Sequence, residues 1–152
     1  MTKHHAHKSG VAVMAETAAH PVKEAMTILI ADDYPWICEL IAHGLDHAGH
    51  HTLTALDGPA AREVMLRHGA ANIDLLIIEL LLPGINGREL ADWFLANNPQ
   101  GRVIMTSACW FASDLDPRTA LLLKPFSHEV LIERINELFA GTGIPLHTLQ
   151  HT

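Results

Sequence analysis

Residues 73–87 read IDLLIIELLLPGING, and this stretch decides how the rest of the chain is arranged. From Leu75 to Leu82 every residue except Glu79 is apolar. A run of this kind suits a strand of a parallel sheet, covered on both faces, better than a strand with one wet face. A loop and then a helix follow it. Glu79 closes the strand, and in open parallel sheets the groups at the carboxyl ends of strands face the crevice where ligands bind. Glu79 is therefore a site candidate. Taken alone, a strand-end acid turned toward water would look the same.

Outward from this segment, strands and helices alternate. Thr27 to Ala31, TILIA, is a short β-branched run that stops at Asp32 and Asp33. Tyr34 to His47 carries Ile37, Leu40, Ile41 and Leu45 at helical spacing, with Pro35 near its start and Gly49 beyond its end. His51 to Leu56 is a second strand, and Asp57-Gly58 turns into a helix over Pro59 to His68, closed by Gly69. After the central strand, a helix spans Gly87 to Asn97. Arg102 to Ser107 and Ala120 to Leu123 are the last two strands, and Ser127 to Phe139 the last helix. This order predicts an α/β domain: a doubly wound, five-stranded parallel sheet of order 2-1-3-4-5 with right-handed crossovers. Residues 1–25 are expected to be a flexible leader, 26–140 the domain, and 141–152 a tail.

Composition narrows the function. The chain has 152 residues, the size of one domain. Ten Lys and Arg against 17 Asp and Glu give a formal charge of −7, which argues against nucleic acid as a partner. No run approaches the ~18 uninterrupted apolar residues of a membrane helix. Cys38 and Cys109 have no metal-ligand spacing, so reduced thiols and a cytoplasmic location are expected. The twelve histidines include His43 and His47 on one helix and His4, His5 and His7 in the leader, without a third ligand of assured geometry.

The polar strand ends converge. Asp32 and Asp33 follow the first strand, Glu79 the third, Ser107 the fourth and Lys124 the fifth. In the order 2-1-3-4-5 the switch point falls between strands one and three, so these acids face one another. Clustered carboxylates raise one another's pKa unless a cation answers them, which calls for Lys124, a divalent metal, or both. Taken singly, each has a plainer explanation: Asp33 as an N-cap, Ser107 as a satisfied buried hydroxyl, Lys124 as a surface cation. Four polar strand ends in order are harder to assign to chance.

These residues, from Thr27 to Phe139, resemble the receiver domain of bacterial response regulators, in the flavodoxin-like class. The resemblance implies that a histidine kinase donates a phosphoryl group to an aspartate at the end of the third strand. It also implies magnesium held by the acidic pair, Asp32 and Asp33, and by the backbone carbonyl of Leu81. Ser107 matches the switch hydroxyl and Lys124 the lysine that meets the phosphoryl group. A cis peptide before Pro125 is expected as well.

Three departures follow. Where the acceptor aspartate should stand, this chain has Glu79. Its extra methylene shifts the carboxylate by ~1.5 Å, and in phosphoryl transfer a misplacement of about 1 Å is worth on the order of 100-fold. Second, only Ala108 to Thr119 link the fourth and fifth strands, too few for a full helix between them. A turn or two around Trp110 to Asp114 is expected, with Trp110 and Phe111 exposed as a replacement contact. Third, Leu121 occupies the place of the family's aromatic switch residue.

The sequence therefore predicts a stand-alone, atypical response regulator receiver, not an enzyme, in which Glu79 is a built-in mimic of the phosphorylated state. It would bind a protein partner, a sensor histidine kinase or a downstream signalling protein, and a homodimer stays open. Magnesium binding would be weak or absent, and no organic cofactor is implied. Two other readings stay open: a magnesium-dependent phosphoryl-transfer enzyme using Asp32, Asp33 and Glu79, and a structural domain whose former site is only an ion pair.

Overall fold

The structure is a computed structural model, and it describes residues 25–109 and 114–140. Five strands form one parallel sheet: β1 (Thr27–Ala31), β2 (His51–Ala55), β3 (Leu75–Glu79), β4 (Arg102–Ser107) and β5 (Thr119–Leu123). Their spatial order is β2-β1-β3-β4-β5, as the alternation predicts. Among the described residues there are four α-helices: α1 (Pro35–His47), α2 (Gly58–His68), α3 (Gly87–Asn97) and α4 (His128–Phe139). A 3₁₀ turn, Ala70–Asn72, lies before β3, where the sequence reading had none.

Because successive strand residues point to opposite faces, each strand feeds two cores. Ile28 and Ile30 of β1, Leu75 and Ile77 of β3, Ile104 of β4 and Leu122 of β5 pack against Ile41 and Leu45 of α1 and Leu131 and Ile135 of α4. Leu29, Leu76, Ile78, Val103, Met105 and Leu121 pack on the opposite side, against Met65 of α2 and Leu90 and Phe94 of α3. All five residues of β3 are buried, including Glu79. That explains why its apolar run shows no alternation in the sequence: both of its faces are covered.

Helix starts follow local chemistry. Asp57 caps α2 by accepting from Ala60 N, Asn86 caps α3 through Arg88 N, and Ser127 caps α4 through Val130 N. At α1 the N-cap is Tyr34, with no side-chain cap and Pro35 at the first turn. The alternative of Asp33 as N-cap is thereby corrected: Asp33 is exposed, one residue before the cap.

No helix joins β4 to β5 among the described residues, and the expected turn and contact at Trp110 and Phe111 lie outside them. Arg118 secures the return into β5. Its guanidinium donates to the carbonyls of Asn98 at 2.8 Å and Leu95 at 3.1 Å, at the end of α3. Asp116 pairs with it at 3.2 Å. Burial alone would raise the Asp116 carboxyl, and Arg118 outweighs that and holds it below the usual range.

Candidate functional site

The parity that builds the α1/α4 core also builds the site. Asp32 continues the Ile28, Ile30 side of β1, Glu79 the Leu75, Ile77 side of β3, and Lys124 the Ala120, Leu122 side of β5. The ladder extends past the formal strand ends through Asp32 N to Ala55 O at 3.1 Å and Lys124 N to Ser107 O at 2.8 Å. Three side chains distant in sequence are therefore delivered to one rim, on one face.

They meet there. Lys124 Nζ lies 2.7 Å from Asp32 Oδ2 and 2.6 Å from Glu79 Oε2. The second oxygen of Asp32 accepts from the Tyr34 amide at 2.9 Å, and Thr106 Oγ1 donates to Glu79 Oε2 at 3.3 Å. Asp32 and Glu79 are both buried, so each needs these partners: a charge taken out of water is tolerated when paired and hydrogen-bonded. Burial alone would pull the Lys124 pKa down. Its hydrogen bonds to Asp32 and Glu79 and their charges outweigh burial, so it lies above the ordinary lysine value.

Ser107 is buried, but its Oγ accepts from Cys109 N at 3.1 Å, and its parity is that of Val103 and Met105, the opposite face. Asp33 and the Leu81 side chain are exposed. Thr106 is the residue that the sequence reading passed over. Its signal was available, since Thr106 pairs in register with Glu79 and shares the parity of Ile104. Beneath the trio, Cys38 Sγ donates to Asp32 O at 3.4 Å, and burial raises this thiol to about 11, which keeps it protonated and unreactive. The Lys124–Pro125 peptide is cis, as the resemblance implies, and Leu121 is fully buried in the α2/α3 core.

Residues 28–136 match the family model described as the response regulator receiver domain. This chain belongs to that family. Among curated relatives, the receiver is 30% identical over 118 residues to the uncharacterized transcriptional regulatory protein YrkP of Bacillus subtilis, covering 73% of this chain and 48% of that protein. It is 27% identical over 126 residues to the probable transcriptional regulatory protein TcrX of Mycobacterium tuberculosis, covering 80% and 53%. The chain thus spans about half the length of these relatives. Among solved structures, the receiver domain of the hybrid histidine kinase CckA superposes with a TM-score of 0.64 at 26% identity, covering 74% of this chain and 98% of that one. The response regulator TrrA of Thermotoga maritima, in complex with Mg(2+)-BeF, gives 0.64 at 29%, with the same coverage.

Receivers commonly bind magnesium, so this receiver's donor set can be tested for fit. As arranged, the Lys124 ammonium lies between Asp32 and Glu79, and Asp33 is exposed. Among the described residues no group of three His, Cys, Asp or Glu side chains is placed to hold a metal ion. A cation already bridges the two buried carboxylates, and it is a side chain. Among the described residues no helix is long and apolar enough to cross a membrane.

Proposed function

We propose that this receiver signals without phosphorylation, by protein–protein contact, with Glu79 supplying permanently the negative charge that a phosphoryl group would bring. The observation that carries this reading is the 2.6 Å contact between Glu79 Oε2 and Lys124 Nζ. The longer side chain reaches the lysine by itself, and the partner surface is held in one state. The partner is a sensor histidine kinase or a downstream signalling protein, and the chain works in the cytoplasm. Magnesium, through Asp32, Asp33 and the Leu81 carbonyl, has no part in this state, and Ser107 supports the rim as a buried hydroxyl. The protein is a binding module and not an enzyme.

Acetyl phosphate with magnesium should leave the mass of the wild-type protein unchanged, while Glu79→Asp should gain one phosphoryl group. A stable phosphoryl adduct on the wild type would overturn the proposal. Glu79→Gln should weaken capture of the partner in a side-by-side pull-down. Undiminished capture would reduce the trio to an ion-pair network with a purely structural role.

A further inference from the structure

Asn86 and Gly87 form the one Asn-Gly pair in the chain; the other asparagines precede Ile73, Asn98, Pro99 and Glu137. In such a pair the side-chain amide is open to attack by the next backbone nitrogen, because glycine has no side chain to shield that nitrogen. The Gly87 nitrogen bonds to Asn86 Cγ, the Cγ–Nδ2 bond breaks, and the amide proton leaves with Nδ2 as ammonia. Water then opens the five-membered imide at either carbonyl, leaving an aspartate or an isoaspartate at position 86.

The folded corner between β3 and α3 opposes each step. The Gly87 amide donates to Leu80 O at 2.9 Å and Asn86 Oδ1 accepts from Arg88 N at 2.8 Å, so both reacting groups are already engaged. Ring closure also needs Cβ and the Gly87 nitrogen nearly eclipsed about the Cα–C bond of Asn86. At ψ 136° they are far from eclipsed, and turning that bond would swing Gly87 out of place. Gly87 is buried and cannot follow, since an added Cβ there would already overlap the Glu79 carbonyl oxygen. Asn86 itself is exposed, so water can reach an imide at this position.

We propose that Asn86 is a modification site that the fold keeps closed. It deamidates when the β3–α3 corner opens. The isoaspartate product places one extra carbon in the backbone just before Gly87, and the corner cannot re-form around it. The chain then carries a permanent record of having opened, and Glu79 loses the strand end that presents it to Lys124. The inference holds whether or not Glu79 mimics a phosphoryl group.

The test incubates the full chain in mildly alkaline buffer, folded or unfolded in urea. Mass spectrometry of the peptide around Asn86 and labelling by an isoaspartyl methyltransferase follow the reaction. Unfolded chains should deamidate at least about tenfold faster, since the folded rate is the unfolded rate reduced by the fraction of time the corner is open. Asn86→Ser, which keeps a capping side chain, should show no amide-to-acid change at this position in either state. On removal of urea the isoaspartyl chains should stay unfolded. Unmodified chains should regain the native near-ultraviolet spectrum, and so should Asn86→Asp, which has an ordinary backbone and a capping carboxylate. Equal rates in the two states, or isoaspartyl chains that regain the native spectrum, would each overturn the proposal. So would an Asn86→Asp chain that cannot refold, since the lesion would then be charge and not the lengthened backbone.

Discussion

Lys124 Nζ stands 2.6 Å from Glu79 Oε2 while holding Asp32 at 2.7 Å, so one ammonium neutralises part of two buried carboxylates. Removing a single partner from such an arrangement leaves the others unanswered in a poorly hydrated place. Lys124→Met should therefore destabilise the fold by about 3 kcal/mol, near the low end for buried pairs because the lysine side chain keeps some exposure. Adding Glu79→Gln should restore part of the loss, giving a coupling on the order of 1–3 kcal/mol in a double-mutant cycle of urea unfolding. Additive effects would mean that the two side chains are neighbours without energetic consequence.

Thr106 gives a finer test of how Glu79 is held. Its hydroxyl donates to the carboxylate at 3.3 Å, and Thr106→Val keeps the shape while deleting the donor. The expected cost is about 1 kcal/mol. Because the effect runs through Glu79, it should nearly vanish when Glu79 is already replaced by Leu. Ser107→Ala removes an acceptor for Cys109 N and should cost about the same in both backgrounds. Equal responses of the two variants to the Glu79 replacement would sink this assignment.

The contrast between these neighbours shows what the sequence could convey. The apolar run from Leu75 to Ile78 announced a strand covered on both faces, and the alternation of elements announced the sheet order. Asp32, Glu79 and Lys124 could be brought together from that order alone, because strand ends in a known order have known neighbours. Which hydroxyl joins them depends on strand parity. Thr106 and Ser107 are adjacent in sequence and point to opposite faces, and motif matching favours the second while the pleat favours the first. The lysine's bridge between two acids was legible as a need for a cation, to be met by Lys124, a divalent metal, or both. That Lys124 meets it within 2.7 Å depends on side-chain reach, which spacing does not encode.

Gly87 fixes the position of the strand end that carries Glu79. Its amide donates to Leu80 O at 2.9 Å, and an added Cβ would run into the Glu79 carbonyl oxygen and stand 3.0 Å from Leu80 Cα. Those neighbours are backbone and have no rotamer to change, so α3 or the end of β3 must move. Gly87→Ala should destabilise by about 2–3 kcal/mol, the upper part of the range for overpacking. Equilibrium unfolding in urea measures this, and a loss below ~0.5 kcal/mol, as at an ordinary surface position, would contradict the contact.

His50 ties stability to pH. Its Nδ1 accepts from the Met26 amide at 3.1 Å, at the entry to β1, so only the unprotonated ring nitrogen can serve. Burial lowers its pKa from the usual 6.5. With the folded value below the unfolded one, the contribution is complete above 6.5 and is lost as the pH falls through the folded pKa. His50→Leu deletes the acceptor and should cost about 1–2 kcal/mol near pH 7.5, with Met26 N–H left unpaired. The difference between wild type and His50→Leu should shrink at lower pH, because protonation removes the same acceptor from the wild type. The rest of the chain is the same in both proteins and cancels in the comparison. Urea midpoints of the two proteins that stay equally far apart from pH 7.5 to pH 5 would show that the ring nitrogen is not what secures β1.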